Sequence, residues 1–294
     1  MRGRLAPVAL VVGGALAGGN AVGIRYTNRE LDPLFGAGTR FAAAALALAV
    51  VARARRLELP RGRALSGVAV FGVLNFAGAF GFGYYALVHI DAGVGSALLA
   101  LTPLMTLAVA VLHREERIRR DALLGGALAV IGVAFISNAS LSGSAPMLAV
   151  GAAFASVVCF AEAAVLVRRF PPVAPIMTNA IAMGVGSAVL LAASIAARET
   201  WTIPSRRATW IAFAYLVVVG SMVVFLLYLF VLRHWEASRA VYFDVLIPPV
   251  AVVLSAWLDD ESISVGLVIG GSLVLAGAYV GAMRHTGEPA ATAT

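Results

Sequence analysis

Five polar or charged side chains sit inside long apolar runs, where they are costly: Asn20, Arg40, Asn75, Glu162 and Asp244. A carboxylate kept from water has its pKa raised from about 4 toward neutrality unless a cation or donors satisfy it. Such an acid can take a proton on one side and release it on another, or pair with an ammonium. Tyr84, Tyr85, Tyr228 and Tyr242 add hydrogen-bonding aromatics. This is a set for binding and proton handling, not for covalent catalysis. No HExxH, GxSxG or Walker pattern occurs, and His89, His113, His234 and His285 fall at expected helix ends or in loops. The single cysteine, Cys159, rules out an internal disulfide and cannot by itself form a cysteine-based metal site. No catalytic residue, metal or cofactor is expected.

Each polar residue also has a plainer role to set beside the functional one. The tyrosines suit an interfacial belt, and Asn20 and Asn75 suit hydrogen-bonded helix packing. Arg40 lies about seven residues into its helix, or roughly 10 Å at the helical rise, so it can snorkel to the surface or face a cavity. Glu162 can pair internally with Arg40 or with a helix-end arginine, and it precedes Arg168 and Arg169 with no donor-rich loop beside it.

The elements that must position these groups follow from composition. Of 294 residues, 61% are hydrophobic and 13% charged, and the mean hydropathy is +0.92. Soluble domains run at about 45–50% apolar and about a quarter charged; the solvent for this chain is lipid. The net charge of +7 comes from arginine clusters between apolar runs, with no lysine anywhere. That pattern is membrane-surface loops and not a nucleic-acid face. Ten spans of about 20 residues are expected, at 5–24, 33–52, 64–89, 92–112, 121–137, 145–167, 175–197, 209–232, 237–258 and 262–283. The first could imitate a secretory signal but is read as a helix that stays. The connecting loops leave no room for a soluble domain, and 285–294 reads as a disordered tail.

The chain repeats itself. Shifting by 145 residues brings His89 onto His234, Pro103 onto Pro248, Glu116 onto Glu261 and Gly125, Gly126 and Gly132 onto Gly270, Gly271 and Gly277, without a gap. Proline, glutamate and histidine are rare here, so their joint alignment marks an internal repeat. The units are 1–137 and 138–284. Five helices in each put the second unit into the membrane from the opposite side, an inverted repeat. With a cytoplasmic N-terminus, the inner segments hold 16 arginines and the outer ones 5, with Arg40 inside a span. This is the positive-inside pattern, and it puts both termini in the cytoplasm. Pro103 and Pro248 are expected to interrupt corresponding helices, and such paired breaks point to a binding site at the midplane. The glycines of Gly19–Gly23 and Gly277–Gly281 have the spacing of close helix packing.

These stretches carry a resemblance. YYALVHIDAGVGSALLALTPLMTLAVAVLHREERI, from Tyr84, resembles the fourth-helix signature of the EamA-type branch of the drug/metabolite transporter superfamily. AVYFDVLIPPVAVVLSAWLDDESI, from Ala240, fits the same signature less cleanly, with Ile247 where many relatives carry a glutamate. LDPLFGAGTRFAAAALALA resembles the second helix, with Pro33 and the pair Arg40–Phe41, and AGGNAVGIR the first, with Asn20. The resemblance covers essentially the whole chain. It implies an all-α membrane protein of ten transmembrane helices in two inverted five-helix repeats. It also implies secondary transport of a small metabolite across a bacterial inner membrane, as an exporter working by alternating access. Asn20, Arg40, Asn75, Tyr84, Glu162, Tyr228, Tyr242 and Asp244 are the expected substrate contacts. The expected partners are the substrate, the lipid bilayer and protons as coupling ion. Nucleic acid is not among them, and a homodimer is compatible with such a chain. A passive facilitator and a non-transporting membrane protein are the alternatives.

Overall fold

The computed structural model describes residues 6–115, 124–128, 131–132, 135, 147–234, 247–258 and 263–283. Among them the secondary structure is helical throughout. Helix α1 is Ala6–Asn28 and α2 is Pro33–Ala54. Helix α3 is Arg63–His89, continuous but with a π-helical segment, Gly72–Ala79, inside it. Helix α4 is broken into Ala92–Leu99 and Thr102–Leu112. Helix α5 is Met147–Leu166, extended by a 3-10 turn, Val167–Arg169. Helix α6 is Pro175–Ala196. Helix α7 comprises α-helix Arg207–Tyr215, π-helix Leu216–Val223 and α-helix Val224–His234. Helices α8, Ile247–Leu258, and α9, Val265–Met283, complete the set. Seven of these are long and apolar enough to cross a bilayer, so this is a multi-pass membrane protein. Most of the expected span at 121–137 lies outside the described residues.

Local chemistry sets the ends. Pro33 and Pro175 open α2 and α6, where a proline's missing N–H costs no helical bond. Helices α2, α4 and α6 close with the same motif. Arg56, Arg114 and Arg198 take the left-handed conformation at φ 52°, 60° and 58°. The next N–H reaches back in each case: Leu57 to the Ala52 carbonyl at 3.0 Å, Glu115 to Ala110 at 2.8 Å, Glu199 to Ser194 at 3.0 Å. Glycine usually holds this position; an arginine there places a cation at the negative end of the helix dipole.

The internal duplication reappears in the segmentation. Helices α2 and α6 are both 22 residues long and pack along each other. Helices α3 and α7 both read as nine α-helical residues, eight π-helical residues and a second α-helical stretch. An arithmetic shift of 144 residues takes Gly72 to Leu216 and Tyr84 to Tyr228. Helix α1 is central and touches α3, α4, α7 and α8. Glycines make this closeness feasible: a Cβ on Gly18 would lie 2.5 Å from Val250, and one on Gly19 would lie within contact of Tyr215. An aromatic cluster ties the halves together, with ring centroids 4.8 Å apart for Phe76 and Phe225 and 5.4 Å for Phe80 and Phe160. Such pairs contribute about 0.5–1.5 kcal/mol each beyond burial. The outer face is apolar, with Leu46 and Val50 each 69% exposed, as a lipid-facing surface requires.

Loops gather at two ends. At one end, Glu30 accepts from the Ser205 hydroxyl at 2.6 Å, from the Ser205 N–H at 3.0 Å, from the Thr209 hydroxyl and from the Arg206 N–H. The Ser205 hydroxyl, followed by that of Thr209, does most to hold the Glu30 carboxyl down from 4.5 to about 2. In exchange, Glu199 accepts from the N–H groups of Leu34 and Phe35 at 3.0 and 2.8 Å. Each half therefore caps the first turn of a helix in the other. Arg25 and Asp91, 3.2 Å apart, and the Tyr26 hydroxyl on the Leu258 carbonyl share this end. The opposite end holds Arg169 with Glu115 at 2.6 Å. Segments 25–32, 90–91 and 198–206 are thus linked to one another, and 113–115 to 168–169.

Candidate functional site

Arg40 decides how the centre of the molecule is built. Snorkelling is overturned: its side chain is 0% exposed. It runs sideways instead, donating through Nε to the Ser221 hydroxyl at 2.8 Å, through Nη1 to the Tyr84 hydroxyl at 3.3 Å and through Nη2 to Asn20 Oδ1 at 3.4 Å. Its guanidinium carbon also lies 5.0 Å from the ring centre of Phe41 and 5.2 Å from that of Phe80. Helices α1, α2, α3 and α7 are joined at this one cation. Gly220, in the π segment of α7, makes the approach feasible, since a Cβ there would stand 2.0 Å from Asn20 Oδ1 and 2.9 Å from Arg40 Nη2. Ser221 in turn donates to the Leu216 carbonyl at 2.8 Å, closing a turn that the π geometry leaves loose.

Asn20 also lines a cavity of about 100 Å³. Its wall takes Ala17, Asn20 and Ile24 from α1, Asn75, Phe80 and Gly83 from α3, and Ser96, Leu99 and Thr102 from the break of α4. The second half contributes Ser156 and Phe160 from α5, Phe225 and Tyr228 from α7, and Ile247 from α8. Asn75 is 1% exposed, and its amide nitrogen has no hydrogen-bond partner. Ser96 and Thr102 turn their hydroxyls to the Ala92 and Leu99 carbonyls, steadying the ends of the broken helix.

A second concavity, about 1030 Å³ and open to the side, runs between α2, α3, α5 and α6. Its walls are apolar, and the acids at its rim are engaged. Asp32 accepts twice from Thr200, at 2.6 and 2.7 Å, and Glu199 caps α2.

Of the expected contacts, Asn20, Asn75 and Tyr228 line this cavity, and Arg40 and Tyr84 stand behind Asn20. Tyr85 lies in the lateral groove. Glu162 is elsewhere: its carboxylate meets His113 Nε2 at 2.6 Å, bridging α5 to the end of α4. Its partner is thus a histidine, not Arg40 or a helix-end arginine. Arg169 reaches the His113 carbonyl at 3.2 Å beside it. Asp244 and Tyr242 lie outside the described residues. Pro103 stands in the first turn of the second piece of α4, where it is tolerated, and the helix is interrupted just before it at Ala100 and Leu101. Pro248 is the second residue of α8 as described, and residues 241–246 before it lie outside the described residues. Ser96, Ser156, Ser221 and His113 were not singled out from sequence. The first three are small hydroxyls inside apolar runs, and that is the signal by which they could have been found.

A family model described as the EamA-like transporter family matches the chain twice, over residues 5–138 and 145–282. The uncharacterized inner membrane transporter YedA of Escherichia coli strain K12 is 28% identical over 82% of this chain and 78% of its own. A protein of Salmonella typhimurium named a probable amino-acid metabolite efflux pump is 28% identical over 95% of this chain and 93% of its own. A probable terminal-alkyne amino-acid exporter of Streptantibioticus cattleyicolor is 26% identical, covering 85% and 84%. A solved crystal structure, 19% identical, superimposes with a TM-score of 0.70 over 94% of this chain and 96% of that one. At that identity it speaks for the fold alone.

Proposed function

Because this chain belongs to the EamA-like transporter family, we propose that it exports a small metabolite across the inner membrane by alternating access. The cavity of about 100 Å³ is its substrate chamber. One observation carries the reading: the chamber is lined by helices of both halves, α1, α3 and α4 from the first and α5, α7 and α8 from the second. A chamber so placed opens to either side when the halves rock, which is how repeat-built transporters work. The bodies that rock are residues 1–137 and 138–284, with both termini cytoplasmic. The size favours a small solute. Sites for drug-sized ligands run at about 300–1,000 Å³, and about 100 Å³ holds a compact metabolite with its water removed. Two of the similar proteins carry amino-acid export in their names. The polar groups are few and convergent, as in a binding site and unlike a water-filled pore.

Proton coupling is assigned to Glu162 with His113. Glu162 is held against His113 across the join between the halves, which places this acid where the rocking of the halves changes its surroundings. The test is counterflow in proteoliposomes, with amino acids and related small metabolites as solutes and with or without a pH gradient. Saturable exchange and gradient-driven accumulation are expected. Glu162→Gln should retain exchange and lose accumulation. Flux that ignores the gradient in both proteins would identify a passive facilitator, and no flux of any solute would remove the transporter reading.

A further inference from the structure

We propose that the chamber selects a carboxylate-bearing substrate, seated on the amides of Asn20 and Asn75 in the field of Arg40. The proposal rests on the chamber being the transport site. It starts from a charge without a counter-charge. Arg40 is fully buried and stays protonated, so it cannot relieve its burial by neutralising. Its three hydrogen bonds go to neutral oxygens, those of Ser221, Tyr84 and Asn20. A guanidinium has five N–H donors, so these bonds leave two over. No Asp or Glu among the described residues pairs with it, and none is among the described residues that line the chamber. The faces of Phe41 and Phe80 soften the charge without cancelling it.

The amides carry that positive field to the chamber wall. A guanidinium only donates, so Asn20 must turn its oxygen toward Arg40, as the 3.4 Å contact records. The other end of the amide, an N–H donor, is then left for the chamber that Asn20 lines. Asn75 supplies an independent sign. It lines the same chamber, is 1% exposed, and its nitrogen has no partner. A buried donor left unmade is costly, and Asn75 lies in a π-helical segment, a feature frequent at functional sites. Two amides close to a buried cation, in a chamber whose described lining holds no acid, complement a carboxylate and oppose an ammonium.

Thermal unfolding of the purified full-length protein tests this alongside counterflow in proteoliposomes. The probes are acetate, lactate, L-alanine and succinate, each against its amide. Carboxylates are expected to raise the unfolding temperature by binding the folded state; the matched amides are not. Asn75→Leu loses no hydrogen bond and removes an unmet buried donor, so without ligand it should unfold at or above the wild-type temperature. Yet it should need about tenfold more carboxylate for the same shift, the scale of one hydrogen bond to a charged group. Arg40→Lys keeps the charge but not the fork of donors, and it should keep a weakened preference for carboxylates over amides. Amides that stabilise as well as acids, an Asn75→Leu protein with undiminished affinity, or no stabilisation by any carboxylate would overturn the proposal. Carboxylate binding without counterflow would uphold the site and remove the exporter reading. Counterflow with no preference for carboxylates would do the reverse.

Discussion

The π-helical segments Gly72–Ala79 of α3 and Leu216–Val223 of α7 occupy matching places in the two halves and are eight residues each. They are packed in opposite ways. In α3 the partner is the backbone of α6: a Cβ on Gly72 would stand 2.5 Å from the Ala182 carbonyl oxygen, and one on Gly186 would stand 2.4 Å from Phe76 Cβ. In α7 the partners are side-chain tips, the Asn20 amide and the Arg40 guanidinium lying over Gly220. One bulge is closed by apolar contact and the other by hydrogen bonds to a buried cation. The duplicated backbone therefore supplies the same defect twice, and the glycines of the two copies meet different neighbours, backbone at Gly72 and polar side-chain tips at Gly220.

That contrast breaks most visibly at Gly186. A methyl group there meets a Cβ and, at 3.0 and 3.2 Å, backbone atoms of Gly72 and Ala77, none of which can swing aside. Gly186→Ala should destabilise by about 1–3 kcal/mol, the usual range for overpacking, as a lowered unfolding temperature in detergent. Transport per folded molecule should be preserved. Gly220→Ala sharpens the comparison from the other side. Its neighbours are the ends of flexible side chains, so the stability change should stay within about 1 kcal/mol. The displaced amide should nevertheless weaken apparent substrate affinity about tenfold in counterflow. Equal stability losses in the two variants would erase the distinction.

The smallest effect concerns how the two helices begin. Helix α3 starts after Gly62 with no side-chain cap, whereas α7 starts under Glu30. Because the folded Glu30 carboxyl titrates near 2 and not at 4.5, its contribution is complete above 4.5. It is lost as the pH falls from there through about 2. The unfolding temperature of the wild type should drop across that window, and the Glu30→Gln curve should be flatter there. Parallel curves would show that the cap contributes nothing.

Much of this was legible in the residues, for reasons that differ by site. The spans at 33–52, 64–89 and 175–197 are legible because lipid demands long apolar runs, and the duplication because Pro103 and Pro248 are rare enough to align. Asn20, Asn75 and Tyr228 are legible because a polar group inside such a run needs an interior to face. Arg40 left two readings open. Its distance from the helix end permits an escape to the surface, and only the neighbouring helix, with Ser221 and Gly220, decides against it. Glu162 was legible as an anomaly but not in its partner, since His113 stands 49 residues away and is brought near by the packing of α4 on α5. The π segments carry no mark of composition at all, because both are ordinary apolar sequence.

The exchanged helix caps also have a consequence in time. Leu34 and Phe35 receive their acceptor from Glu199, which follows 165 and 164 residues later. At a synthesis rate of about 5–20 residues per second, the start of α2 waits roughly 8–33 s for its partner. Throughout that interval its N–H groups are served only by water at the membrane surface. The first half can be inserted early, but it is not finished until the second arrives, and the completed join reports that both have been made.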